Sequence, residues 1–178
     1  MIVIHINNNT PDAAILSKIY EDIDNITLCY NKNKGYIKQI LKATGEEPVM
    51  LLGHGTPYGL LNTKSNGFAV SEKHIKWLKN RPVIGIFCYA SEFANKYDLH
   101  GFFTSMFISN ISEAITMNQS YQGITDKIIS EQNILFCNRI HKLITDNISL
   151  DQWPSILLNQ ADLSLPFVKF NYEALSYI

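Results

Sequence analysis

A histidine and a cysteine directly follow two of the most apolar runs in this chain. Residues 48–55 read PVMLLGHG and place His54 after the first run, while residues 82–91 read PVIGIFCYAS and place Cys88 after the second. Continuous apolar runs of this length are typical of strands that are buried on both faces of a sheet. A thiol and an imidazole that meet at one site can carry out nucleophilic catalysis. The two runs therefore predict a candidate catalytic pair.

The interval between the pair suits two neighbouring parallel strands. His54 precedes Cys88 by 34 residues, which is enough for one crossover connection with an inserted hairpin. Both side chains would then emerge at the carboxyl edge of the sheet, where open α/β sheets bind ligands. Gly55 permits a sharp turn with an accessible amide, and the amide of Cys88 offers a second donor to an oxyanion. Ser91 and Glu92, just beyond the thiol, complete the candidate substrate-binding residues.

Strand and helix signals alternate along the rest of the chain. The longest predicted helix spans residues 125–144, and the last segment is expected to add a short helix and a late strand at 167–170. A hairpin is predicted around residues 62–66. The predicted strands of the main sheet are 2–6, 26–30, 49–52, 83–87 and 102–108. This order predicts a single α/β domain over residues 1–178, a three-layer α/β/α sandwich with a mostly parallel sheet of about five to six strands.

Composition restricts the class of partner. The chain has 178 residues, 46% of them apolar and 17% charged, and a net charge of -1, which is typical of a soluble globular protein. A near-neutral balance argues against a nucleic-acid partner. No apolar run reaches the roughly 20 residues that a membrane span needs, and residues 1–6 are typical of a strand and not of a signal peptide. We expect no membrane partner, and oligomeric state stays open.

The cysteines indicate a reducing environment. Cys29, Cys88 and Cys137 are widely spaced and odd in number, which does not predict a disulfide framework, so a cytoplasmic location is expected. Cys88 lies where a strand leads into a helix N-terminus. We therefore expect a lowered pKa for its thiol and faster alkylation than at the other two cysteines.

Simpler explanations exist for the same residues. His54 could mark a flexible strand exit, and Cys88 could be a small core residue. Asp98 and His100 could orient the site or belong to a solvated helix end, and the loop 7–9 could line the same cleft or form only a turn. No paired metal-ligand spacing is present, so neither a metal nor a cofactor is predicted. The absence of G-x-S-x-G, P-loop and G-x-G-x-x-G motifs removes serine α/β-hydrolases and common nucleotide-binding folds.

A hydrophobic strand ending in His-Gly, followed by a hydrophobic strand ending in Cys, resembles the catalytic pattern of caspase-like cysteine peptidases. That family includes caspases, metacaspases, gingipains, separase and CHAT domains. The resemblance covers about residues 1–115. It implies a caspase-haemoglobinase-type sandwich in which Cys88 is the nucleophile and His54 polarises or protonates the scissile amide. It also implies an oxyanion hole formed by the amides of Gly55 and Cys88.

The chain departs from the family pattern where specificity is set. Metacaspases have an aspartate two residues before the cysteine, and this chain has Ile86 there; residues 89–91 do not follow the caspase motif. The two arginines are Arg81 and Arg139, so neither an aspartate nor an arginine preference is predicted. We expect a cysteine peptidase that cleaves a protein or peptide through a Cys-His dyad and an acyl-enzyme. The alternative is a non-catalytic caspase-like interaction module.

Overall fold

Two sheets organise the chain in a computed structural model that describes residues 1–65 and 67–178, without the side chain of Ser65. Asn66, the last residue of the predicted hairpin loop, lies outside the described residues. The larger sheet contains strands β1 (Ile2–Ile6), β2 (Thr27–Tyr30), β3 (Val49–Gly53), β7 (Val83–Ile86), β8 (Gly101–Phe103) and β9 (Ser176–Tyr177). The smaller sheet contains β4 (Gly55–Thr56), β5 (Gly59–Asn62) and β6 (Gly67–Ser71).

Seven α-helices of the described residues connect and cover these strands. They are α1 (Pro11–Ile15), α2 (Lys34–Ala43), α3 (Ala90–Tyr97), α4 (Ile111–Thr116), α5 (Asp126–Thr145), α6 (Trp153–Gln160) and α7 (Pro166–Glu173). Short 3₁₀ segments occur at Leu16–Ile19, Thr63–Ser65, Glu72–Trp77 and Leu150–Gln152. Thr125 caps α5, because its hydroxyl accepts a hydrogen bond from the Ile128 N–H. Within the described part of the chain, no helix is both long enough and apolar enough to span a membrane.

Strand order creates a reversal next to β1. The larger sheet runs β2-β1-β3-β7-β8-β9, with every pair parallel except the antiparallel β8–β9 pair. Chain order proceeds from β1 to β2 on one side and to β3 and β7 on the other. Such a reversal is a topological switch point, and the crevice outside its carboxyl ends is the usual ligand site of an open α/β sheet.

Alternating side chains of the buried strands form one core on each face of the sheet. All five residues of β1 and of β3 are buried, which explains why their sequences are apolar apart from His5, whose ring nitrogens are hydrogen-bonded with the Tyr20 hydroxyl and the Ala13 carbonyl. On one face, Met50 and Leu52 of β3 pack with α5, α6 and α7. On the other face, Val49 and Leu51 pack with α2 and α3. The predicted three-layer α/β/α class is therefore confirmed.

Two predicted elements differ from those observed. Residues 167–170, predicted as a strand, lie within α7, because Pro166 starts a helix there and the residues from Phe167 to Tyr172 bury one helical face. The predicted strand 102–108 ends at Phe103, where Thr104 turns back and its hydroxyl donates to the Phe87 carbonyl at 2.9 Å. This turn directs residues 105–109 across the carboxyl edge of the sheet.

Candidate functional site

A pocket opens at the carboxyl edge of the sheet, beside the switch point. His54 directly follows β3, Cys88 lies in the turn between β7 and α3, and both side chains line the pocket. Because β3 and β7 are parallel neighbours, the prediction that the two residues share one cleft is confirmed. The cavity of this pocket has a volume of about 40 Å³.

Polar groups and an apolar wall divide the lining of this pocket. The polar residues of the lining are Asp12, His54, Cys88, Ser109 and Asn133. The apolar lining comes from α1 and the 3₁₀ segment after it, from the segment that follows β8, and from α5; it includes Ile15, Leu16, Phe107, Phe136 and Cys137. The candidate nucleophile therefore faces a space that is mostly apolar, which would exclude water from a bound substrate.

His54 is held through one ring nitrogen. Its Nε2 lies 2.8 Å from the Thr10 hydroxyl and 3.6 Å from Asp12 Oδ2. Thr10 is the N-cap residue of α1, yet its side chain makes no capping hydrogen bond within the helix. The sequence at residues 10–12 is typical of a helix start, but here the hydroxyl contacts His54 instead.

The same contacts assign the ring proton. The Thr10 hydroxyl also lies 3.2 Å from the carbonyl oxygen of Asn7 and hydrogen-bonds with the Asp12 carboxylate, and both of these groups can only accept. The hydroxyl donates its single hydrogen to one of these two acceptors, so the Nε2–H of His54 donates to the hydroxyl oxygen. Nδ1 forms no hydrogen bond with any residue that the structure describes. This nitrogen is therefore available to exchange a proton with a bound molecule.

Asp12 is a charged group between two hydroxyls. The Ser109 hydroxyl lies 2.8 Å from Asp12 Oδ2 and 2.9 Å from Glu113 Oε2. Burial alone would raise the pKa of the Asp12 carboxyl, but hydrogen bonds from Thr10 and Ser109 and the nearby ring of His54 outweigh burial and lower that pKa. Asp12 is therefore ionised at neutral pH and presents a negative charge beside His54.

Cys88 is a neutral thiol in the resting site. Its Sγ lies 3.6 Å from the carbonyl oxygen of Phe107, to which the S–H donates. Burial, together with the negative charges of Glu113 and Asp12, raises the pKa of this thiol to about 11. The expectation of a lowered pKa was wrong, because burial and two carboxylates outweigh the nearby N-terminus of α3. The backbone N–H of Cys88 donates to no other described residue and is available to a substrate oxygen.

Two buried asparagines fix the segment that accepts the thiol hydrogen. Asn171 of α7 donates to the Ile108 carbonyl at 3.0 Å and accepts from the Ile108 N–H at 2.7 Å. Asn133 of α5 donates to the Ser109 carbonyl at 3.3 Å. The segment 107–109 is therefore attached to both covering helices. Its position places the Phe107 carbonyl beside the Cys88 thiol and the Ser109 hydroxyl beside the Asp12 carboxylate.

The remaining predicted site residues lie near the pair but outside the pocket lining. Gly55 begins β4, and a Cβ at this position would collide with the ring of Phe87. The Ser91 amide donates to the Thr104 carbonyl at 2.9 Å, and the side chain of Glu92 is exposed. The structure brings His54 and Cys88 together without adding Gly55, Ser91 or Glu92 to the lining, and their roles stay predictions.

The other candidate residues lie away from the pocket. Asp98 pairs with Lys79 at 3.5 Å, and the His100 carbonyl accepts from Val83, the first residue of β7, so both are at the opposite edge of the sheet. The loop 7–9 reaches the smaller sheet and does not line the pocket. Among the described residues, no group of three or more metal-ligating side chains could hold a metal ion.

Sequence reasoning missed Thr10, Asp12 and Ser109. A signal existed for the first two, because they follow the first predicted strand at the same sheet edge as His54. No such signal existed for Ser109, which was predicted to follow a long fifth strand. Its position depends on the turn at residue 104 and on contacts with α5 and α7.

Comparison with known protein families, with curated proteins and with solved structures finds no match for this chain. No family is thereby shown for it, and the resemblance carried by the His-Gly and Cys pattern stays a hypothesis.

Proposed function

We propose that this protein is a cysteine peptidase that hydrolyses a protein or peptide substrate through Cys88 and His54. The observation that carries this proposal is the convergence of both side chains, from adjacent parallel strands, on one pocket beside the switch point. The ionised carboxylate of Asp12 near the imidazole adds a third group of the kind that cysteine and serine hydrolases use.

The geometry is compatible with acyl transfer. The Cys88 sulfur attacks the carbonyl carbon of the substrate while its proton moves to Nδ1 of His54. The carbon–nitrogen bond then breaks, and the amine leaves with that proton. Water attacks the resulting thioester, giving a proton to His54, and that proton returns to the sulfur as the acid is released. The carboxylate of Asp12 stabilises the positive charge that develops on the ring, and the Cys88 N–H is one donor to the oxyanion.

A neutral resting thiol determines how the nucleophile is activated. The pKa of about 11 at Cys88 means that almost no thiolate is present at neutral pH. Attack is therefore assisted by a general base, with the sulfur losing its proton as it forms the new bond. The three cysteines are free, which supports a reducing, cytoplasmic setting in which such a thiol stays available.

The same thiol gives some support to a second candidate function, a non-catalytic interaction module. A cysteine that is largely removed from water and that donates to a backbone carbonyl resembles a structural thiol more than an activated one. Under this alternative the pocket would bind a partner group without turnover.

A covalent probe and a peptide library separate the two candidates. The wild-type protein would be treated with an acyloxymethyl ketone probe, examined by intact mass, and assayed against a diverse peptide library. The peptidase proposal expects one adduct on Cys88 and peptide cleavage, both abolished in Cys88→Ala. It expects cleavage to be lost in His54→Ala as well, because residues of one catalytic unit act together.

Cys29→Ala is the matched control, because Cys29 is a free cysteine of β2 that does not line the pocket. This variant should keep both the adduct and the cleavage. If the wild type takes no probe and cleaves no peptide, or if Cys88→Ala cleaves as well as the wild type, the peptidase proposal is wrong and the interaction module is favoured.

A further inference from the structure

Five lysines form a basic patch on the face of the protein that carries α2. Three of them surround the indole of Trp77: the Nζ atoms lie 4.6 Å (Lys76), 5.6 Å (Lys38) and 6.0 Å (Lys42) from the ring centre. The lysine patch comprises these three together with Lys34 and Lys73.

All five lysine side chains of the patch are exposed, and none forms an ion pair with a carboxylate of the described residues. Other lysines of this chain, such as Lys127, Lys142 and Lys169, do form such pairs along their helices. The whole chain has a net charge of -1, so this concentration of positive charge is local and does not reflect a basic composition. One acidic residue, Glu72, borders the patch and is also unpaired within the described residues.

The arrangement is electrostatically unfavourable when it is uncovered. Lys34, Lys38 and Lys42 are spaced four residues apart on α2, and like charges at that spacing destabilise a helix. Burial lowers the pKa of His74, and the positive charges of Lys38 and Lys34 lower it further, which places both ammonium groups near that ring. A rigid surface that gathers unpaired cations in this way is complementary to a negatively charged partner.

We propose that the lysine patch binds an acidic segment of a polypeptide. Lys34 to Lys42 extend over about 12 Å along the helix, the length of a few extended residues. The exposed cations of the patch are lysines only, because Arg81 is buried and donates to the Leu41 carbonyl of α2, and Arg139 lies on α5. The patch therefore lacks exposed bidentate forks that favour phosphate. Ile37 and Leu41 are buried and Trp77 is half-buried among the lysines. Tyr36, which is 39% exposed, is the one large apolar side chain that α2 exposes, and a single ring is a small apolar area with which to enter a lipid surface. Carboxylates on a peptide fit this chemistry better than phosphates of a nucleic acid or a membrane.

The partner site is independent of the pocket. No residue of the patch lines the pocket that contains His54 and Cys88, and α2 packs on the sheet face opposite α5. The proposal therefore stands whether or not the protein is a peptidase, and its test measures binding alone.

The test uses a fluorescein-labelled hexaglutamate peptide and fluorescence anisotropy at about 20 mM and about 200 mM salt. The patch variant is K38E/K42E/K76E, and the matched control K127E/K142E/K169E makes the same change in net charge at exposed lysines elsewhere. We expect wild-type binding that weakens with salt, at least about tenfold weaker binding by the patch variant, and a change of no more than about twofold in the control.

Further arms decide among partners and guard against misfolding. A hexaglutamine peptide, single-stranded DNA and phosphatidylserine vesicles serve as competing probes. The variant K38Q/K42Q/K76Q removes the charges without reversing them, and thermal unfolding checks each variant. The proposal is overturned if the wild type does not bind hexaglutamate at low salt, or if K38E/K42E/K76E and the control K127E/K142E/K169E lose binding equally. It is also overturned if DNA or vesicles bind to the wild type more tightly than the peptide does.

Discussion

Removing the Asn171 side chain tests whether its hydrogen bonds to Ile108 stabilise the segment 107–109 behind the pocket. Asn171 is 2% exposed, and its amide makes two hydrogen bonds to the backbone of Ile108, which is fully buried. In Asn171→Ala, the N–H and the C=O of Ile108 both lose their partners in a region that water does not reach. A buried backbone group left unpaired costs about 1–3 kcal/mol, so we expect the free energy of unfolding to fall by about 2–5 kcal/mol.

Urea denaturation measures that loss, and Asn138→Ala is the control. Asn138 lies on the exposed side of α5, where the same truncation should change stability by no more than about 0.5 kcal/mol. The segment that Asn171 holds also carries the Phe107 carbonyl, so iodoacetamide should alkylate Cys88 faster in Asn171→Ala than in the wild type. A loss of less than about 1 kcal/mol, with an unchanged alkylation rate, would refute the reasoning that this amide clamps the segment.

Four more results are expected from the electrostatics and packing of the site. Asp12→Asn should raise the alkylation rate of Cys88, by lowering its pKa, while reducing any peptide cleavage; a slower alkylation contradicts this. Folding lowers the pKa of Asp12, so the stability that its charge adds is present above pH 3.8 and is lost as the pH falls through the lowered pKa. The free energies of unfolding of the wild type and Asp12→Asn should therefore converge as the pH is lowered, and a difference that stays constant with pH would contradict this. Under native conditions Cys88 should be alkylated before Cys29 and Cys137, because Cys88 is half-buried and the other two are buried; peptide mapping that finds equal labelling would contradict the order. Gly55→Ala forces a methyl group against the ring of Phe87 and should lower the free energy of unfolding by about 1–3 kcal/mol, measured by thermal or urea denaturation. An unchanged denaturation midpoint would contradict this prediction.

The sequence predicts the sheet well because its central strands are buried on both faces. All side chains of β1 and β3 are apolar except His5, which is buried with both ring nitrogens hydrogen-bonded, so their runs stand out without any knowledge of tertiary structure. The crossover length between His54 and Cys88 then places both residues at one edge. Residues 167–170 were harder to assign, because a short apolar run fits a strand or a buried helix equally well.

The partners of His54 could not be predicted, because each belongs to a local pattern with another explanation. Thr10, Pro11 and Asp12 together are typical of a helix start, in which the threonine caps the helix and the acid interacts with its dipole. Only the approach of the end of β3 to the end of β1, paired in register from Ile2↔Val49 to Ile6↔Gly53, brings His54 to the threonine hydroxyl. That contact depends on strand order, which the chain does not encode locally.

Asp12 acts in opposite directions on the two members of the candidate pair. Its charge raises the pKa of the Cys88 thiol and so suppresses the thiolate, whereas the same charge near His54 would stabilise the ring when it accepts a proton. A site built for a permanent thiolate would place a cation near the sulfur, and this one places carboxylates there. Reactivity toward small alkylating agents and turnover of a bound substrate should therefore be separable, because the first depends on free thiolate and the second on proton transfer within the complex. Under the proposed function, a cysteine that stays neutral until a substrate occupies the pocket is protected from oxidation and unwanted acylation.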